Sequence, residues 1–394
     1  MTNETRKELA EAKRIYKSKN YEDALEIYEK IYDESPEALN EWDRIFFSWA
    51  IYYTHIKNFE DEEDLIASTA KVCELVKQAD LNKAPTCAYT LSVFKVLDYL
   101  YSQNDWEDLI MWLEKLDPEL LDDKKGEFNE RTYPSKREKY YNYATKAYLE
   151  SYDYDKCIET SKKALESMDT FVNDSDVWYR WRIAKSQKEL GDYDDAIKYL
   201  EEVSKVKQDW FVSLEIADNY FFKLDNDNAL KYAVEAALKP GPADLKVNLY
   251  PLLRDLVIDE YPNEALKHDY LVYTVRLAKG WPIDDDLKDK ITEANLDTEN
   301  TDYRSIEKEL KSFWDSLKYK GRDLMTGTIT KIFEHGKSGF ITGEDGKSYY
   351  FNTFDFKDDK SELREYLSVT FYSEKSFDKS KNRESLKAVN INIL

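Results

Sequence analysis

Histidine and cysteine, the side chains that most often bind metal ions or act as nucleophiles, are scarce in this sequence. They lie far apart, at His55, His268 and His335 and at Cys73, Cys87 and Cys157. No CxxC pair, phosphate-binding glycine loop, GxSxG or HExxH motif is present. We therefore expect neither catalysis nor a metal ion or other cofactor. We interpret the cysteines as buried free thiols and not as a disulfide framework or a zinc site.

Long apolar runs are also missing. No run approaches the roughly 20 apolar residues that a membrane-spanning helix needs, and residues 1–20 lack the apolar core of a secretory signal. Glycine and proline are few, at 10 and 9 of 394 residues, whereas aromatic residues make up 14%. This composition is typical of a folded chain and not of a disordered one. We expect a helical, cytoplasmic protein that binds no membrane.

Acidic side chains outnumber basic ones, but unevenly along the chain. The net charge is −22, and residues 327–394 carry as many basic as acidic side chains, so all of the net charge lies on residues 1–326. An acidic surface repels the phosphate backbone of nucleic acids at long range. We therefore do not expect residues 1–326 to wrap a nucleic acid along their length.

A helix-turn-helix pattern recurs in residues 1–241: a polar turn, an aromatic residue, and a small residue one helical turn later. The six occurrences are Lys17–Glu37, Ile56–Val76, Gln103–Glu119, Ser151–Ser167, Leu190–Val206 and Leu224–Gly241. These units resemble tetratricopeptide repeats, most clearly at Gly191, Asp192, Tyr193 and Ala196. The resemblance implies helix pairs stacked in one solenoid. Three units depart from the pattern, because the small residue is replaced by Glu62, Leu109 and Cys157.

The resemblance also implies a groove, because the first helix of each tetratricopeptide pair lines the concave side. With Cys157 and Ala196 as anchors, the groove-facing positions are Lys139, Asn142, Lys146, Trp178, Trp181, Lys185 and Lys188. This basic and aromatic set resembles grooves in which the family holds acidic peptides or C-terminal carboxylates. We expect a protein partner or acidic peptide there. The alternative is that these cations pair with acidic neighbours on adjacent repeats.

Beyond residue 245 the repeat pattern loosens, with Pro251 and Pro262 interrupting helices. An amphipathic helix follows at Leu266–Pro282, and the acidic segment Ile283–Asp302 reads as a linker or a loosely packed cover. A further helix has an apolar face, formed by Ile306, Leu310, Phe313, Trp314 and Leu317. We interpret it as a cap on the solenoid, or as a support for the next domain, in preference to a partner-binding segment.

From Gly327 the pattern changes to the alternation typical of β-strands. Ser338–Thr342 and Lys347–Asn352 should form a hairpin across the turn at 344–346, and Leu367–Ser373 and Ser385–Ile393 are further strand candidates. With the strand that starts at Gly327 these make five. Five short strands in so short a segment favour an OB-type barrel.

Residues 327–394 resemble the cold-shock family at its two RNA-contacting motifs. The first motif, K-G-F-G-F-I, falls on residues 336–341, keeping Phe340 but placing Ser338 at the first aromatic position. The second, V-F-V-H, falls on residues 349–352, keeping an aromatic at Tyr350 and placing Asn352 at the histidine. The closing A-x-N-V pattern reappears in residues 388–391. The whole chain thus reads as a multidomain protein, an all-α tetratricopeptide-like solenoid followed by a small five-stranded all-β OB/cold-shock barrel.

The resemblance implies that the barrel binds single-stranded RNA or DNA by stacking bases on exposed rings. The predicted interface is Lys331, Lys337, Phe340, Tyr350 and Asn352, with Lys379, Lys381 and Arg383 of a last loop, Ser373–Lys387. Acidic residues are interleaved with these cations, so we expect modest, salt-sensitive affinity. The alternative is a barrel used for protein contact, with its rings packed away.

We predict three segments: the solenoid at 1–282, a linker and connecting helix at 283–322, and the barrel at 323–394. Together they would form a non-catalytic adaptor, binding nucleic acid with the barrel and a protein partner with the solenoid. The alternative is a pure protein-interaction scaffold or regulatory subunit, for example of a nuclease or defence complex, with no nucleic-acid binding.

Overall fold

The computed structural model describes residues 2–84, 86–378 and 383–394, and only the backbone of Asp378 and Arg383. The chain divides into two compact units, Met1–Tyr232 and Ala233–Leu394. Among the described residues, no helix is long and apolar enough to cross a membrane. The predicted boundaries at 282 and 322 stay predictions.

The first unit is a stack of helix pairs. Its helices are α1 Asn3–Lys17, α2 Tyr21–Glu34, α3 Glu41–Ile51, α4 Glu62–Leu75, α5 Ala88–Gln103, α6 Trp106–Leu113, α7 Lys136–Glu150, α8 Tyr154–Ser167, α9 Ser175–Glu189, α10 Tyr193–Ser204, α11 Trp210–Phe222 and α12 Asn226–Leu238, which continues past the end of the unit. Each helix from α1 to α10 packs on the next, and first helices of successive pairs pack together at α1–α3, α3–α5 and α7–α9. This arrangement confirms the helical, tetratricopeptide-like solenoid.

The recurring sequence motif is the start of the second helix in a pair. Asp105, Asp153 and Asp192 precede α6, α8 and α10, and each side chain accepts a hydrogen bond from a backbone N–H in the first turn. Such a cap satisfies a donor that the helix itself leaves unpaired. The aromatic residue that follows is the first residue of the helix.

The departures from the repeat pattern have different structural outcomes. Leu109 and Cys157 are fully buried, so they take the place of the small residue within the helix pair. Glu62 is exposed, because α4 begins there, and the buried residue is Leu65. In the second helical repeat, Ile56–Val76, the motif is therefore shifted by three residues. It follows a π-helical turn at Tyr52–Ile56 that extends α3.

A short hairpin between α6 and α7 was not expected from the sequence. Its strands are β1 Gly126–Phe128 and β2 Arg131–Tyr133, paired antiparallel. The two turn residues, Asn129 and Glu130, have φ of 48° and 62°, the left-handed backbone that two-residue hairpins favour. Both strands are solvent-exposed, so the segment lacks the alternation that reveals a half-buried strand.

The second unit begins with further helices, α13 Leu249–Val257, α14 Pro262–Lys279, α15 Asp285–Glu293 and α16 Tyr303–Lys318. Neither proline interrupts a helix, which corrects the expectation: Pro262 is the first residue of α14 and Pro251 lies in the first turn of α13, where no helical N–H is lost. Gly280, at φ 66°, is the left-handed residue that ends α14. The segment expected to be a linker contains α15, whose Ile291 is buried.

The amphipathic helix α16 belongs to the core of the second unit. It packs on α14, and Trp314 is buried, with its ring parallel to that of Tyr250 at 6.0 Å. Just beyond α16, Tyr319 stacks on Tyr372 at 4.6 Å, and Arg322 forms an ion pair with Glu374. Helix α16 therefore covers other helices on one side and leads directly into contacts with the sheet.

The C-terminal sheet has five strands: β3 Met325–Ile332, β4 Ser338–Gly343, β5 Ser348–Asn352, β6 Ser368–Asp378 and β7 Arg383–Ile393. The strand order is β3-β4-β5-β7-β6, and β6 pairs back with β3, so the hydrogen-bonded order is closed. Ile329, Ile341, Phe351 and Phe371 fill the interior. The five predicted strands are confirmed; whether the sheet is of the OB or cold-shock type stays a proposal.

The predicted last loop, Ser373–Lys387, is mostly strand. Residues 374–378 of β6 pair with residues 383–387 of β7, which leaves only residues 379–382 between them, and these lie outside the described residues. This end of the hairpin is largely polar along both strands, so the alternation that identifies a half-buried strand is missing from the sequence.

Candidate nucleic-acid interface and helical groove

Phe340 and Tyr350 lie opposite each other on neighbouring strands. Phe340 is the register partner of Tyr350, and their ring centroids are 5.9 Å apart with the planes at 72°. Their sequence neighbours Ile341, Tyr349 and Phe351 are buried in the sheet interior. Because alternate side chains of a strand point to opposite faces, the two rings lie on the outer face, where both are partly exposed.

Two further rings extend this pair, and the sequence analysis missed them. The Phe333 ring lies 5.6 Å from that of Phe340 and 5.6 Å from that of His335. We call Phe333, His335, Phe340 and Tyr350 the aromatic face. The available signal was the F-E-H triplet directly after β3. The strand alternation ends at Ile332, so the sequence pattern does not indicate which face the Phe333 ring joins.

A bulge and a glycine bring Lys331 to this face. The register of β3 shifts between Ile329 and Lys331, so that Lys331 pairs with Phe340, and its Nζ lies 5.5 Å from the Phe333 ring centroid. Gly339 permits the close approach of β3 and β4. A Cβ atom at Gly339 would lie 2.2 Å from the Lys331 carbonyl oxygen and 2.7 Å from the Phe351 ring.

The other predicted residues are placed unequally. Asn352 adjoins the aromatic face, where its Oδ1 accepts a hydrogen bond from the Tyr350 hydroxyl at 3.0 Å. Lys337 is exposed in the β3–β4 turn. Ser338, expected at an aromatic position, is buried. Lys379 and Lys381 lie outside the described residues.

Arg383 is separated from the aromatic face along β7. Its backbone pairs with Asp378, whereas Lys387 is the residue of β7 opposite Tyr350. Four residues of extended strand span roughly 13 Å. Arg383 therefore does not adjoin Tyr350, and the cation that does, Lys387, is already paired with Asp355 at 2.8 Å. Neither Lys331 nor Lys337 forms an ion pair with another described residue.

The predicted groove in the helical unit is more neutral than its sequence implies. Its lysine ion pairs are Lys139 with Asp98 (2.6 Å), Lys146 with Glu150 (2.6 Å), Lys185 with Glu215 (2.8 Å) and Lys188 with Asp218 (2.9 Å). Three of these carboxylates belong to the first helix of a neighbouring pair, α5 or α11. These three contacts are of the kind expected under the alternative interpretation, in which the lysines pair with acidic residues of adjacent repeats.

Lys188 is the most enclosed of these cations. Burial acts to lower its pKa, but the Glu215 and Asp218 carboxylates outweigh burial and leave the pKa of Lys188 raised. The ammonium group therefore stays charged and holds α9 to α11.

Aromatic rings also pack in the contact between α9 and α11. Trp178 and Trp181 have ring centroids 6.3 Å apart, and Trp181 packs edge-on against Phe211 of α11 at 5.4 Å. Asn142 donates a hydrogen bond to the Ser175 hydroxyl at 3.3 Å. The predicted groove residues thus line the contacts between successive first helices.

Arg182 is a cation of α9 that is not in the predicted groove set and that packs against α7. Its Nη1 donates to the Thr145 hydroxyl at 2.9 Å, and among the described residues it forms no ion pair. Burial lowers the pKa of this guanidinium. The positions predicted from the anchors Cys157 and Ala196 include Trp181 and Lys185, which lie on either side of Arg182 in the sequence.

Large apolar side chains are exposed at equivalent turns of three successive helix pairs. Tyr152 follows α7, Leu190 ends α9, and Phe222 and Leu224 end α11. Tyr152 is 77% exposed and Leu224 is 86% exposed. We call these four residues the apolar ridge. Lys188, near the end of α9, lies 5.5 Å from the Phe222 ring, so the C-terminal ends of α9 and α11 are adjacent.

No geometry for metal binding or thiol chemistry accompanies these surfaces. Within the described part of the chain, no group of three or more His, Cys, Asp and Glu side chains could hold a metal ion. Cys87 and Cys157 are buried and Cys73 is partly buried, all as free thiols. Burial raises the pKa of Cys73 to about 11, which leaves almost no reactive thiolate at neutral pH.

Comparison with known proteins finds similarity in solved structures only. No family model and no curated protein matches the chain. Similar structures include a tetratricopeptide repeat protein from Parabacteroides merdae, at 14% identity over 74% of this chain and 98% of that one, with a TM-score of 0.34. A human IFIT1 dimer with m7Gppp-AAAA is 15% identical over 79% and 70%, with a TM-score of 0.39. The TPR2AB-domain:pHSP90 complex of yeast Sti1 is 17% identical over 80% and 97%, with a TM-score of 0.27.

Proposed function

We propose that this chain is a non-catalytic adaptor of the cytoplasm whose helical repeats bind a protein partner. The observation that carries this proposal is the apolar ridge. Single exposed apolar residues are ordinary, but exposed apolar residues that recur at equivalent turns of successive helix pairs offer a repeated contact, and covering them gains roughly 25 cal/mol per Å². Tyr152, Leu190 and Leu224 occupy equivalent turns, so one extended partner could contact all three.

The groove is the weaker candidate for the partner site. An acidic peptide would have to displace the carboxylates that hold Lys139, Lys185 and Lys188, and exchanging one ion pair for another yields little net affinity. Arg182 forms no ion pair with a described residue, but its guanidinium is buried against Thr145 of α7 and does not offer a peptide an exposed cation. Acidic-peptide binding in the groove stays a prediction, tested by Lys185→Glu.

The ridge is tested by charge insertion in the full chain. The variant Tyr152→Asp/Leu190→Asp/Leu224→Asp should lose a protein that co-purifies with the wild type, measured by quantitative mass spectrometry. Val206→Asp is the matched control, because Val206 is an exposed apolar residue in the turn after α10, between helix pairs. An unchanged set of partners in the triple variant, or the same loss in the control, would contradict the proposal.

The aromatic face supports a second function, binding of single-stranded nucleic acid by the sheet. The Phe340 ring lies within 6 Å of both the Phe333 and the Tyr350 ring, and Lys331, which forms no ion pair with another described residue, lies beside them; such sites use rings and cations of this kind. The closed strand order and the outward rings also support the proposal that this is an OB-type barrel resembling the cold-shock family. Each base stacked on a ring contributes roughly 1–3 kcal/mol.

Fluorescence anisotropy with short single-stranded oligonucleotides tests this second function. Phe340→Ala/Tyr350→Ala should weaken binding by tenfold or more. Tyr366→Ala removes a ring of the same unit that is exposed but lies outside the aromatic face, and it should bind as the wild type does. Undetectable binding at low salt, or equal affinity of the double variant and the wild type, would show that the sheet serves another purpose.

A further inference from the structure

A cavity of about 800 Å³ lies in the first unit between the β1–β2 hairpin and the connection from α8 to α9. Its lining consists of Lys125, the three residues of β2 (Arg131–Tyr133), and residues 171–173. The volume lies within the roughly 300–1,000 Å³ that small-molecule sites occupy. None of the groove or ridge residues lines it.

The lining is basic although the chain as a whole is acidic. Lys125 and Arg131 form no ion pair with any described residue, and no carboxylate is among the described lining residues. Of the acidic residues that flank the lining in sequence, Asp123 pairs with Arg137 at 3.1 Å and Asp174 pairs with Lys207 at 2.7 Å, whereas Glu127 and Glu130 belong to the hairpin but do not line the cavity. Two cations that lack an ion pair with any described residue, in a chain of net charge −22, make this lining locally suited to an anion.

The side of the cavity formed by residues 171–173 is held in place by buried groups. The Glu138 carboxylate, itself buried, accepts a hydrogen bond from the Val172 backbone N–H at 2.7 Å. The Ser175 hydroxyl donates to the Val172 carbonyl at 2.8 Å, and the Phe171 ring packs edge-on against buried Tyr179. This wall is therefore formed before any ligand arrives, which lowers the entropic cost of binding.

Aromatic and amide groups narrow the class of ligand. Tyr133 and Phe171 offer rings on the two sides of the cavity, and Thr132 and Asn173 offer a hydroxyl and an amide. Planar bases stack on such rings, whereas Arg131 and Lys125 suit phosphate oxygens. An acidic peptide would use the two cations but would leave the two rings without a stacking partner.

We infer that this cavity is a binding site for a nucleoside phosphate, with the base between Tyr133 and Phe171 and the phosphates on Lys125 and Arg131. The site is independent of the apolar ridge and of the aromatic face. It gives the helical unit a small-molecule ligand in addition to its protein partner.

Isothermal titration calorimetry of the full chain at low salt tests the site, with ADP, adenosine and pyrophosphate titrated separately. ADP should bind at least tenfold more tightly than either fragment. Lys125→Glu/Arg131→Glu should weaken ADP binding at least tenfold, and the milder Arg131→Gln should weaken it less. Tyr133→Ala should weaken ADP binding but leave pyrophosphate binding unchanged, with circular dichroism to confirm the fold.

Matched controls come from the same hairpin. Lys124→Glu and Phe128→Ala change a cation and an exposed ring that do not line the cavity, and both should bind ADP as the wild type does. The aromatic-face variant Phe340→Ala/Tyr350→Ala should also retain ADP binding, so this test succeeds or fails separately from the proposed function.

Several results would overturn the inference. These are no ADP binding at millimolar concentration, pyrophosphate binding as tight as that of ADP, an equal loss in Lys124→Glu, or binding of a glutamate-rich peptide but not of ADP.

Discussion

His268 is a buried histidine that is held neutral by its hydrogen bonds. Its Nδ1 lies 2.7 Å from the Glu264 carbonyl oxygen, to which it donates, and its Nε2 accepts from the Trp314 indole N–H at 2.9 Å. Both ring nitrogens are thus used by the neutral tautomer. A second proton at Nε2 would break the bond to Trp314 and place a charge in the core.

Protonation of His268 should make stability depend on pH. Burial lowers its pKa to about 4, with Arg254 acting in the same direction and the Glu264 carbonyl and Asp269 opposing. The ordinary value, near 6.5, applies to the unfolded chain. Between pH 6.5 and 4 the unfolded state therefore binds more protons, so the free energy of unfolding should fall by about 3 kcal/mol as the pH is lowered through this window.

Urea unfolding at several pH values measures this effect. His268→Gln should remove it from the pH profile, and His335→Gln, which changes an exposed histidine, should leave the profile as in the wild type. A His268→Gln profile parallel to that of the wild type between pH 4 and 6.5 would contradict the assignment.

At the scale of elements, ion pairs join the first helices of neighbouring repeats. Lys188 of α9 lies 2.9 Å from Asp218 and 3.6 Å from Glu215, both on α11, and its side chain is 13% exposed. Removing one partner of an enclosed pair costs more than the pair contributes, because the remaining charges are left without compensation.

Lys188→Met should therefore lower the free energy of unfolding of the helical unit by about 1–3 kcal/mol. Lys156→Met, which removes the exposed pair with Asp153, should leave it almost unchanged. Urea unfolding followed by circular dichroism compares the two. An equal change in the free energy of unfolding for the two variants would mean that tryptophan packing, and not the ion pairs, stabilises the contact between α9 and α11.

Elements that bury one face were predictable from the sequence, and elements without a buried face were not. Alternation identified β4 and β5 because Ile341 and Phe351 point inward, and the Asp-aromatic motif identified α8 and α10 because it is a helix cap. The β1–β2 hairpin and the far end of β6–β7 have no buried face, so their sequences carry no period.

The candidate sites show the same limit. Phe340 and Tyr350 followed from alternation, but Phe333 lies just beyond its strand, and only the packed sheet brings its ring to Phe340. The positions that sequence spacing selected on α7 and α9 are partly or fully exposed, and their role as a partner groove stays a prediction. Sequence spacing did not reveal that carboxylates of α5 and α11 neutralise their lysines, since such pairs depend on contacts between distant segments.

At the scale of the whole molecule, the distribution of charge limits where the proposed binding of nucleic acid would occur. All of the net charge of −22 lies on residues 1–326, and on the aromatic face Lys331 and Lys337 are the unpaired cations among the described residues. Each phosphate contact on a single strand contributes about −0.7 to the slope of log affinity against log salt. Two contacts predict a slope of about −1.4.

Fluorescence anisotropy titrations over a range of roughly 20 to 200 mM salt measure this slope. A slope near −1.4 agrees with binding through the aromatic face alone. A slope steeper than about −4 would mean that many more cations contact the strand, as a helical surface that wraps nucleic acid would require.

The strand order of the C-terminal sheet also determines when each strand edge can be paired during folding. β7 pairs antiparallel with β6 and parallel with β5, and it follows both of them in the chain. During synthesis the earlier strands leave the ribosome first, and β5 and β6 keep open edges until β7 emerges to join them. Pairing between distant segments is slow, so the sheet should be the late step in refolding, after the locally connected helix pairs. Tyr350 gains its neighbour Lys387 only at that step.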